Sequence, residues 1–295
     1  MRVIEKSTHP KLGMVRRIHT DSMEELASLP RPADRDPSDT VARIWSPTPE
    51  EGRKGLKAEG PKPGWAGSCP TLKELGALYR DGWQEGVNKA LTAMGDLPPL
   101  PGAVTRRRRP KWKDQGGEIH QERVWEGRLD TAWRSAERQK LTGQTHLHLY
   151  IGLGGSSYVD PGAWFWRGAA AAWLADAAEA SGRRVKITGY TVSRGMFKSG
   201  IPNLITTTGI KEYQEPLDLS RLVAITAHAS SLRTGQFALW TYLDNCYGSL
   251  GHPVHNVHPE PETKQPEDLI LDGVWNQLDA TKWVESARTK LDDLG

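Results

Sequence analysis

The chain has little of the chemistry that marks secreted, disulfide-bonded or zinc-binding proteins. Only two of its 295 residues are cysteine, Cys69 and Cys246, and neither belongs to a CxxC pair or has a histidine at ligand spacing. This usage argues against a disulfide framework and against a zinc site. Residues 1–20 are charged throughout and lack the apolar region of a signal peptide. We therefore expect a cytoplasmic protein.

Long apolar runs and a strong excess of one charge are also missing. The most apolar stretch, residues 163–180, is interrupted by Arg167 and Asp176 and is shorter than the roughly 20 apolar residues that a membrane span needs. The sequence therefore predicts no membrane partner. The 39 Lys and Arg residues against 36 Asp and Glu give a net charge of +3, which does not by itself indicate a nucleic-acid partner.

Phenylalanine is scarce, with three residues, whereas tryptophan is abundant, with 12. An indole ring brings a large apolar area and one N–H group that needs an acceptor when it is buried. The excess predicts an aromatic-rich core, with an interaction surface as the alternative. In other respects, 37% hydrophobic and 25% charged residues are ordinary for a globular protein with a sizeable core.

Composition divides the chain into three parts. Residues 1–64 are predicted to be an extended, partly disordered segment with one short helix, because residues 28–64 are crowded with Pro, Gly and charge. Residues 65–140 are predicted to form a helical extension and a basic linker, since TLKELGALYRDG and WQEGVNKALTAMG place apolar residues at helical spacing. Residues 141–295 are predicted to form an α/β domain.

A β-turn-α-β pattern opens the α/β domain. The alternating strand LHLYIGLG leads into the turn GGSSYVDPG, the helix AWFWRGAAAAWLADAAEA and a second strand, RVKITGY. Further strands are predicted near residues 203–208, at 222–226 and in DLILDG, followed by a closing helix, ATKWVESARTKLDDLG. Because strands alternate with helices, we expect an α/β fold with a mostly parallel sheet and helices on both faces.

Several segments along the chain resemble a known family. They are the GWxEG helix from Gly82 to Gly86, the central WEGRLDTAW, the RGAAAAWLADAAEASGRRVKI helix and strand, HASSLRTGQFALW, and the closing helix with Trp283. From about residue 65 to the end, the chain resembles an uncharacterised family of bacteria and actinobacterial phages, a domain of unknown function with a von Willebrand factor A-like core. The resemblance implies a von Willebrand A-like or Rossmann-like fold and no established activity.

The von Willebrand A fold carries a metal-ion-dependent adhesion site after its first strand. Its DxSxS pattern holds a divalent cation through aspartate and serine oxygens and leaves a position for a partner's carboxylate. In this chain Gly152 stands at the Asp position, Gly154 at the first Ser and Ser156 at the second. Asp160 is the nearby carboxylate that could substitute. The resemblance implies a degenerate metal site, so neither Mg²⁺ nor another cofactor is expected.

The turn after the first strand is the candidate site for a ligand or partner. Gly154, Gly155, Ser156 and Ser157 lead into a helix whose first N–H groups are unpaired and suit an anion. There is no GxxxxGK[ST] motif, so a nucleotide-hydrolysing P-loop is not predicted. The alternative is that Ser157 or Asp160 only caps the helix.

Two residues further along the chain are assigned to the same candidate site. His228 follows the predicted strand 222–226, and Arg233 begins the next predicted helix, so both are expected at the edge that carries the turn. A histidine there could act as a general base, and an arginine could hold an anion. The alternative is that both make structural hydrogen bonds.

No complete catalytic constellation is visible. Ser156, His228 and Asp160 could be arranged as nucleophile, base and orienting acid, but no GxSxG motif surrounds any serine. The three histidines of HPVHNVHPEPE recur at a spacing of three, yet two prolines and the lack of a presenting helix favour accidental enrichment over a metal site. We assign no catalytic residue.

The run RRRRPKWK holds six positive charges in eight residues. Basic side chains contact phosphates, and an aromatic ring among them can stack on an exposed base. A solvated linker is the alternative. The candidate nucleic-acid-binding residues are Arg106, Arg107, Arg108, Arg109, Lys111, Trp112 and Lys113.

The sequence therefore predicts a non-enzymatic interaction or assembly protein that has a degenerate metal site and binds a protein partner. The first alternative is a nucleic-acid-associated protein of a mobile element or phage-like system that uses the basic run. The second alternative is an enzyme that acts on a phosphorylated substrate at the Ser156 turn with Arg233.

Overall fold

The fold is a mixed α/β arrangement around one curled, six-stranded sheet. A computed structural model describes residues 2–27, 68, 72–95, 111–113, 118–135, 146–155, 159–160, 162–193, 203–236 and 255–293. The predicted disorder of residues 28–64 and the four arginines 106–109 lie outside the described residues.

The main sheet has the strand order β1-β2-β8-β7-β6-β9, and a separate three-stranded sheet has the order β3-β5-β4. The strands are β1 (Arg2–His9), β2 (Gly13–Thr20), β3 (Lys111–Lys113), β4 (Glu118–Ile119), β5 (Trp133–Ser135), β6 (His146–Gly152), β7 (Arg184–Ser193), β8 (Asn203–Lys211) and β9 (Asp268–Leu271). Three of the five pairings in the main sheet are parallel, namely β2 with β8, β6 with β7 and β6 with β9. The mostly parallel sheet is confirmed.

Seven α-helices accompany the sheets in the described residues. They are α1 (Met23–Ala27), α2 (Leu72–Asp81), α3 (Gln84–Met94), α4 (Gln121–Trp125), α5 (Ala163–Ala180), α6 (Leu219–Ala227) and α7 (Gln277–Asp293), with a 3₁₀ turn at Leu129–Thr131 and a π-helical segment at Ser231–Gln236. No helix among these is long and apolar enough to cross a bilayer.

The beginning of the chain belongs to the main sheet. Strands β1 and β2 form an antiparallel hairpin, and β2 pairs in parallel with β8 over Val15 to Thr20. At the hairpin turn the Leu12 N–H donates to the carbonyl of His9 at 3.2 Å, and Gly13 has a φ of 72°, which glycine adopts without strain. The sequence analysis placed only residues 141–295 in the α/β domain, whereas residues 2–20 add two strands to its sheet.

Different elements pack against the two faces of the main sheet. One face presents alternating apolar residues such as Leu149 and Ile187 to a core that includes α1, α2, α3, α5, α6 and α7. The other face carries Tyr150 and Tyr190 and packs around Val257, in the irregular segment before β9. The prediction of helices on both faces is therefore not met in the described residues, because this segment covers the second face.

The predicted strand at residues 222–226 is wrong, because this segment lies within α6. The side chain of Asp218 accepts the backbone N–H of Arg221 at 3.0 Å and so caps the helix. The next six residues, from Leu222 to Ala227, are all buried. A β-branched, uniformly apolar run of this length fits a buried strand and a buried helix equally well, and the cap decides between them.

Close packing of α5 on α6 depends on Gly168. A Cβ atom at this position would lie 2.6 Å from the backbone nitrogen of Ala227, which leaves no room for a side chain. The neighbouring alanines from Ala169 to Ala172 are also buried. The small residues of α5 therefore allow helix to approach helix as well as helix to approach sheet.

Candidate functional site

The turn that follows β6 is buried and closely packed. The Leu153 N–H continues the sheet by donating to the carbonyl of Tyr190 at 2.7 Å. A Cβ atom on Gly155 would lie 2.7 Å from a ring carbon of Trp164 and 3.2 Å from one of Trp275. Glycine at this position therefore lets the backbone contact two indole rings directly.

Arg167, in the second turn of α5, points its guanidinium at this turn. The side chain is fully buried, and Nη1 donates to the carbonyl of Gly154 at 2.8 Å. The other two guanidinium nitrogens, Nε and Nη2, are buried without a hydrogen-bond partner among the described residues. A buried charged group with unused donors is costly, which makes Arg167 a candidate for contact with a ligand.

Two tryptophans form the walls around this guanidinium. Its central carbon lies 5.2 Å from the ring centroid of Trp164 and 5.4 Å from that of Trp275, both within the range of cation–π attraction. The Trp164 indole Nε1 is also buried without a hydrogen-bond partner in the described part of the chain. Three donor nitrogens, two of Arg167 and one of Trp164, therefore have no partner among the described residues.

The site keeps its positive charge at neutral pH. Burial lowers the pKa of Arg167 to about 10, and the nearby Asp272 and Tyr190 oppose that shift. Burial also lowers the pKa of Arg233 to about 10, with Asp160 opposing. Both values remain well above 7, so both guanidinium groups are protonated there.

Asp272 directly follows Leu271, the last residue of β9. Its Oδ1 accepts from the His255 ring at 2.8 Å and from the Gly273 N–H at 2.8 Å, while Oδ2 accepts from the Tyr190 hydroxyl at 3.0 Å and from the Asn256 N–H at 3.1 Å. Burial raises the pKa of Asp272, but the bonds from His255 and Tyr190 and the charge of Arg167 bring it below its ordinary value.

The saturation of Asp272 leaves it unsuited to hold a metal ion. Two oxygens that already accept four hydrogen bonds have no free lone pair directed at a cation. In the described ranges no group of three or more His, Cys, Asp or Glu residues is arranged to hold a metal ion. Asp272 and the described residues of this turn, Gly154 and Gly155, therefore do not supply a ligand set for Mg²⁺.

Part of the predicted site is assembled here. Gly154 and Gly155 form the turn, and Arg233 reaches it from the π-helical segment, donating to the carbonyl of Val159 at 2.5 Å with its guanidinium 5.3 Å from the Trp164 centroid. Asp160 is exposed, and its Oδ1 accepts the N–H of Gly162 at 2.7 Å, just before the first residue of α5. Ser156 and Ser157 lie outside the described residues.

His228 lies in another environment. At the end of α6 its Nδ1 accepts the N–H of Ser230 at 3.2 Å, and its Nε2 lies 3.1 Å from the hydroxyl of Ser68. The ring packs edge-on against Trp83 at 5.1 Å. Burial lowers its pKa. His228 therefore follows a helix and not the strand from which its place in the candidate site was predicted.

A second polar cluster lies on the opposite face of the sheet. His258 accepts the N–H of Glu260 at Nδ1, at 3.1 Å, so Nε2 carries the proton and donates to Oδ2 of Asp268 at 3.1 Å. The hydroxyl of Tyr150 donates to Oε2 of Glu260 at 3.1 Å. Two of the three regularly spaced histidines, His255 and His258, thus bind the aspartates at either end of β9, and His252 lies outside the described residues.

His148 extends this cluster into the sheet. Its Nε2 lies 2.9 Å from the hydroxyl of Thr188, and its ring stacks on Tyr150 with centroids 4.0 Å apart. Burial lowers the pKa of His148 to about 4, so the ring is neutral at physiological pH. The cluster fastens the segment before β9 to the sheet.

Three residues of the basic run lie in a described strand. Lys111, Trp112 and Lys113 form β3, which pairs antiparallel with β5, so they belong to a small sheet instead of a linker. The segment that follows β4 forms α4 and the 3₁₀ turn. In the same module Trp125 is 81% exposed and Leu129 is 62% exposed.

The sequence matches, over residues 12–295, the family described as "Domain of unknown function (DUF7192)". The chain belongs to the DUF7192 family. The predicted membership of an uncharacterised domain family is thereby confirmed, while the von Willebrand A-like core and the phage origin stay predictions. No curated protein and no solved structure matches the DUF7192 chain.

The side chains at the centre of the candidate site of this DUF7192 protein were not predicted from the sequence. Arg167 was noted only as an interruption in an apolar helix, yet one charge in the alanine-rich face of a buried helix is itself a signal of function. Asp268 is the first residue of β9, and Asp272 directly follows its last residue. The histidines that bind these aspartates, His255 and His258, were noted in the sequence for their regular spacing.

Proposed function

We propose that the protein is a non-enzymatic interaction module that binds an acidic group of a partner at the carboxyl end of β6. Arg167 and Trp164 supply the hydrogen-bond donors, and Arg233 adds a second positive charge. The proposal keeps the interaction function expected from the sequence and replaces the degenerate metal site with a guanidinium as the group that receives the anion.

One observation carries this proposal: Arg167 is fully buried and has two N–H-bearing nitrogens, Nε and Nη2, that find no partner among the described residues. Leaving a buried donor unpaired costs about 1 to 3 kcal/mol, and more when the group is charged. An oxyanion would satisfy both nitrogens and neutralise the charge. Open α/β sheets also bind ligands at the carboxyl ends of their strands, where this guanidinium lies.

The chemistry of the site supports binding over catalysis. The unpaired groups of Arg167 and Trp164 are donors only, and neither accepts a proton at neutral pH. Asp272, a carboxylate whose charge acts on Arg167, is engaged by four hydrogen bonds. Fixed donors of this kind can orient and hold an anion.

A divergent von Willebrand A-like core is part of the proposal. Its support is the β6-α5-β7 unit with the turn after the first strand, and Gly152 at the position of the metal-binding aspartate. The Asp272 side chain approaches Gly152 from the neighbouring strand. In such a core a protein partner's acidic group is recognised without a resident cation.

The test is an NMR titration of arginine Nε–H signals with sodium acetate and with sodium phosphate, against sodium chloride at matched ionic strength. Arg167→Lys identifies the Arg167 signal, and Arg80→Lys serves as the control because Arg80 is exposed and paired with Asp81. We expect a saturable shift of the Arg167 signal with at least one oxyanion. Shifts that do not exceed those in chloride would overturn the proposal.

Nucleic-acid binding by the basic run is the second candidate. It is favoured by the pairing of Lys111–Lys113 with Trp133–Ser135, which places lysines, arginine and two tryptophans on adjacent strands. We expect affinity for single-stranded nucleic acid that falls steeply with salt and falls again when arginines 106–109 become alanine. Affinity that survives both changes would exclude this surface. A mobile-element or phage-like role depends on that result.

A further inference from the structure

We infer that a cavity on the second face of the main sheet, the face that carries Tyr150, binds an alkylammonium group. The cavity is separate from the turn after β6, so this inference goes beyond the proposed function and does not depend on it. Three features of the cavity carry the inference: its place in the curled sheet, the balance of charge on its walls, and the direction of the hydrogen bonds around it.

The cavity lies between strands β2 and β8 on one side and the segment before β9 on the other. Its volume is about 380 Å³, at the lower end of the range of about 300 to 1,000 Å³ that is typical of small-molecule sites. The parallel register places Arg17 beside Ile205 and His19 beside Thr207, so all four side chains share one face. The polar lining residues are Arg17, His19, Thr207, Glu260, Glu262 and Thr263.

The charges on the walls leave one carboxylate without a counterion. Arg17 donates to both oxygens of Glu262, at 2.6 Å and 3.1 Å, so these two charges compensate each other. Glu260 forms no ion pair with any of the described residues. One guanidinium and two carboxylates therefore give the walls a net negative charge. At the rim, the exposed Asp21 lies beside His19 and adds to it.

Glu260 is held in place by a buried tyrosine. The hydroxyl of Tyr150 donates to Oε2 of Glu260 at 3.1 Å, and Tyr150 is only 2% exposed. The phenol ring packs between His148 and His258, with centroid distances of 4.0 Å and 4.7 Å. The other carboxylate oxygen, Oε1, accepts no hydrogen bond from the described residues. The carboxylate is therefore fixed before a ligand arrives, which lowers the entropy cost of binding.

The hydroxyl of Thr207 is a second acceptor on the cavity wall. Its Oγ1 lies 3.0 Å from Nδ1 of His19, and Oδ1 of Asp21 lies 3.4 Å from Nε2 of the same ring. A carboxylate only accepts, so the neutral ring carries its proton on Nε2, and Nδ1 accepts the proton of the Thr207 hydroxyl. The lone pairs of Oγ1 are then available to a donor from a ligand.

An alkylammonium group matches these walls. It brings a positive charge for Glu260 and three N–H donors, which suit a carboxylate and a hydroxyl oxygen together. Ile205 and Pro259 supply apolar surface for the attached carbon chain. A free amine and the lysine side chain of a partner present the same group, and they are separated by experiment.

The experiment is an NMR titration of the full chain with n-butylamine at about pH 7, where an alkylamine is protonated. The neutral analogue n-butanol and the anion butyrate are titrated in parallel at matched ionic strength, and the readouts are the backbone amide signals of Thr207 and Thr263. We expect saturable shifts with n-butylamine and at least about tenfold weaker binding of the other two probes.

Glu260→Gln tests the carboxylate directly. The amide retains an acceptor for the Tyr150 hydroxyl and removes the negative charge. We expect about tenfold weaker binding of n-butylamine to this variant. Glu285→Gln is the matched control, because Glu285 is exposed on α7, and it should bind as the wild type does.

Several outcomes would overturn the inference. They are the absence of a saturable shift with n-butylamine, binding of n-butanol or butyrate as tight as that of n-butylamine, and an unchanged affinity in Glu260→Gln. N-acetyl-lysine N-methylamide then separates the two sources. Binding as tight as that of n-butylamine assigns the cavity to a partner's lysine, and weaker binding assigns it to a free amine; both results support the alkylammonium group.

Discussion

Gly152 of β6 and Asp272 after β9 are fitted to one another. A Cβ atom at position 152 would lie 2.7 Å from Oδ1 of Asp272 and 2.8 Å from its Cγ, so the absence of a side chain in one strand makes room for the carboxylate of the next. Gly152 stands at the position of the metal-binding aspartate in the expected pattern, and its lack of a side chain leaves space for the carboxylate of Asp272. Both oxygens of that carboxylate already accept hydrogen bonds.

Replacing Gly152 by alanine tests this fit. The added methyl group would push Asp272 away from Tyr190 and His255, and overpacking of a closed site typically costs about 1 to 3 kcal/mol, so we expect a loss of about 2 kcal/mol in unfolding free energy. Denaturant unfolding of the two proteins measures it. Gly95→Ala is the control, because Gly95 is exposed at the end of α3 with helical dihedral angles.

The same comparison can contradict the fit. If Gly152→Ala unfolds at the same denaturant concentration as Gly95→Ala, then Asp272 moves without cost and the close approach of the two residues has no energetic role.

Asp272→Asn removes the negative charge but keeps the shape of the side chain. An amide group offers only one acceptor oxygen, so at least two of the four donors around Asp272 lose their partner or face another N–H. We expect a loss of about 3 kcal/mol, since the side chain is only 4% exposed. Asp176→Asn, on the exposed side of α5, should change the unfolding free energy by less than about 0.5 kcal/mol. Equal effects in the two variants would rule out a central role for Asp272.

The protonation of His148 should make the free energy of unfolding depend on pH. Burial lowers its pKa from 6.5 to about 4, while Asp268 opposes the shift and Lys186 and His258 add to it. The folded protein binds this proton less readily than the unfolded chain. The free energy of unfolding that depends on His148 is therefore fully present above about pH 6.5 and is lost as the pH falls toward 4. The loss between about pH 7 and pH 4.5 should be roughly 2 to 3 kcal/mol.

His148→Gln removes the titrating group and retains a side chain that can reach the hydroxyl of Thr188. Its unfolding free energy should change correspondingly less with pH over that range. His146→Gln, on the exposed end of the same strand, is the matched control and should follow the wild type. A pH profile of His148→Gln that is parallel to the wild type would show that His148 does not cause the dependence.

Local pattern was enough to predict much of this fold. Alternation in His146–Gly152 and the long apolar helix Ala163–Ala180 identified the central β-α-β unit, and both flanking helices of the extension have the expected positions. The small β3-β5-β4 sheet was not predicted, because strands of two or three residues carry no period. The hairpin Arg2–Thr20 was missed because its charged residues hide the alternation.

The candidate site was less accessible from sequence, because it depends on contacts between distant segments. Arg167 and Trp275 lie more than 100 residues apart, and Asp272 meets Gly152 across two parallel strands. The turn at Gly154 and Arg233 were both predicted for this edge. Arg233 donates to the carbonyl of Val159 nearby, although the segment that precedes it is a helix and not the predicted strand. Which side chains would lack partners after folding is a property of the assembled core, and no spacing in the sequence encodes it.

The most direct measurement compares the unfolding free energy of Arg167→Met with that of the wild type, without and with sodium acetate. Met fills a similar volume, so removing a buried, incompletely paired charge should leave stability unchanged or raise it by about 1 kcal/mol, despite the lost bond to Gly154. Acetate should stabilise the wild type and not the variant. A variant that loses about 2 kcal/mol or more, and responds to acetate as the wild type does, would contradict the account.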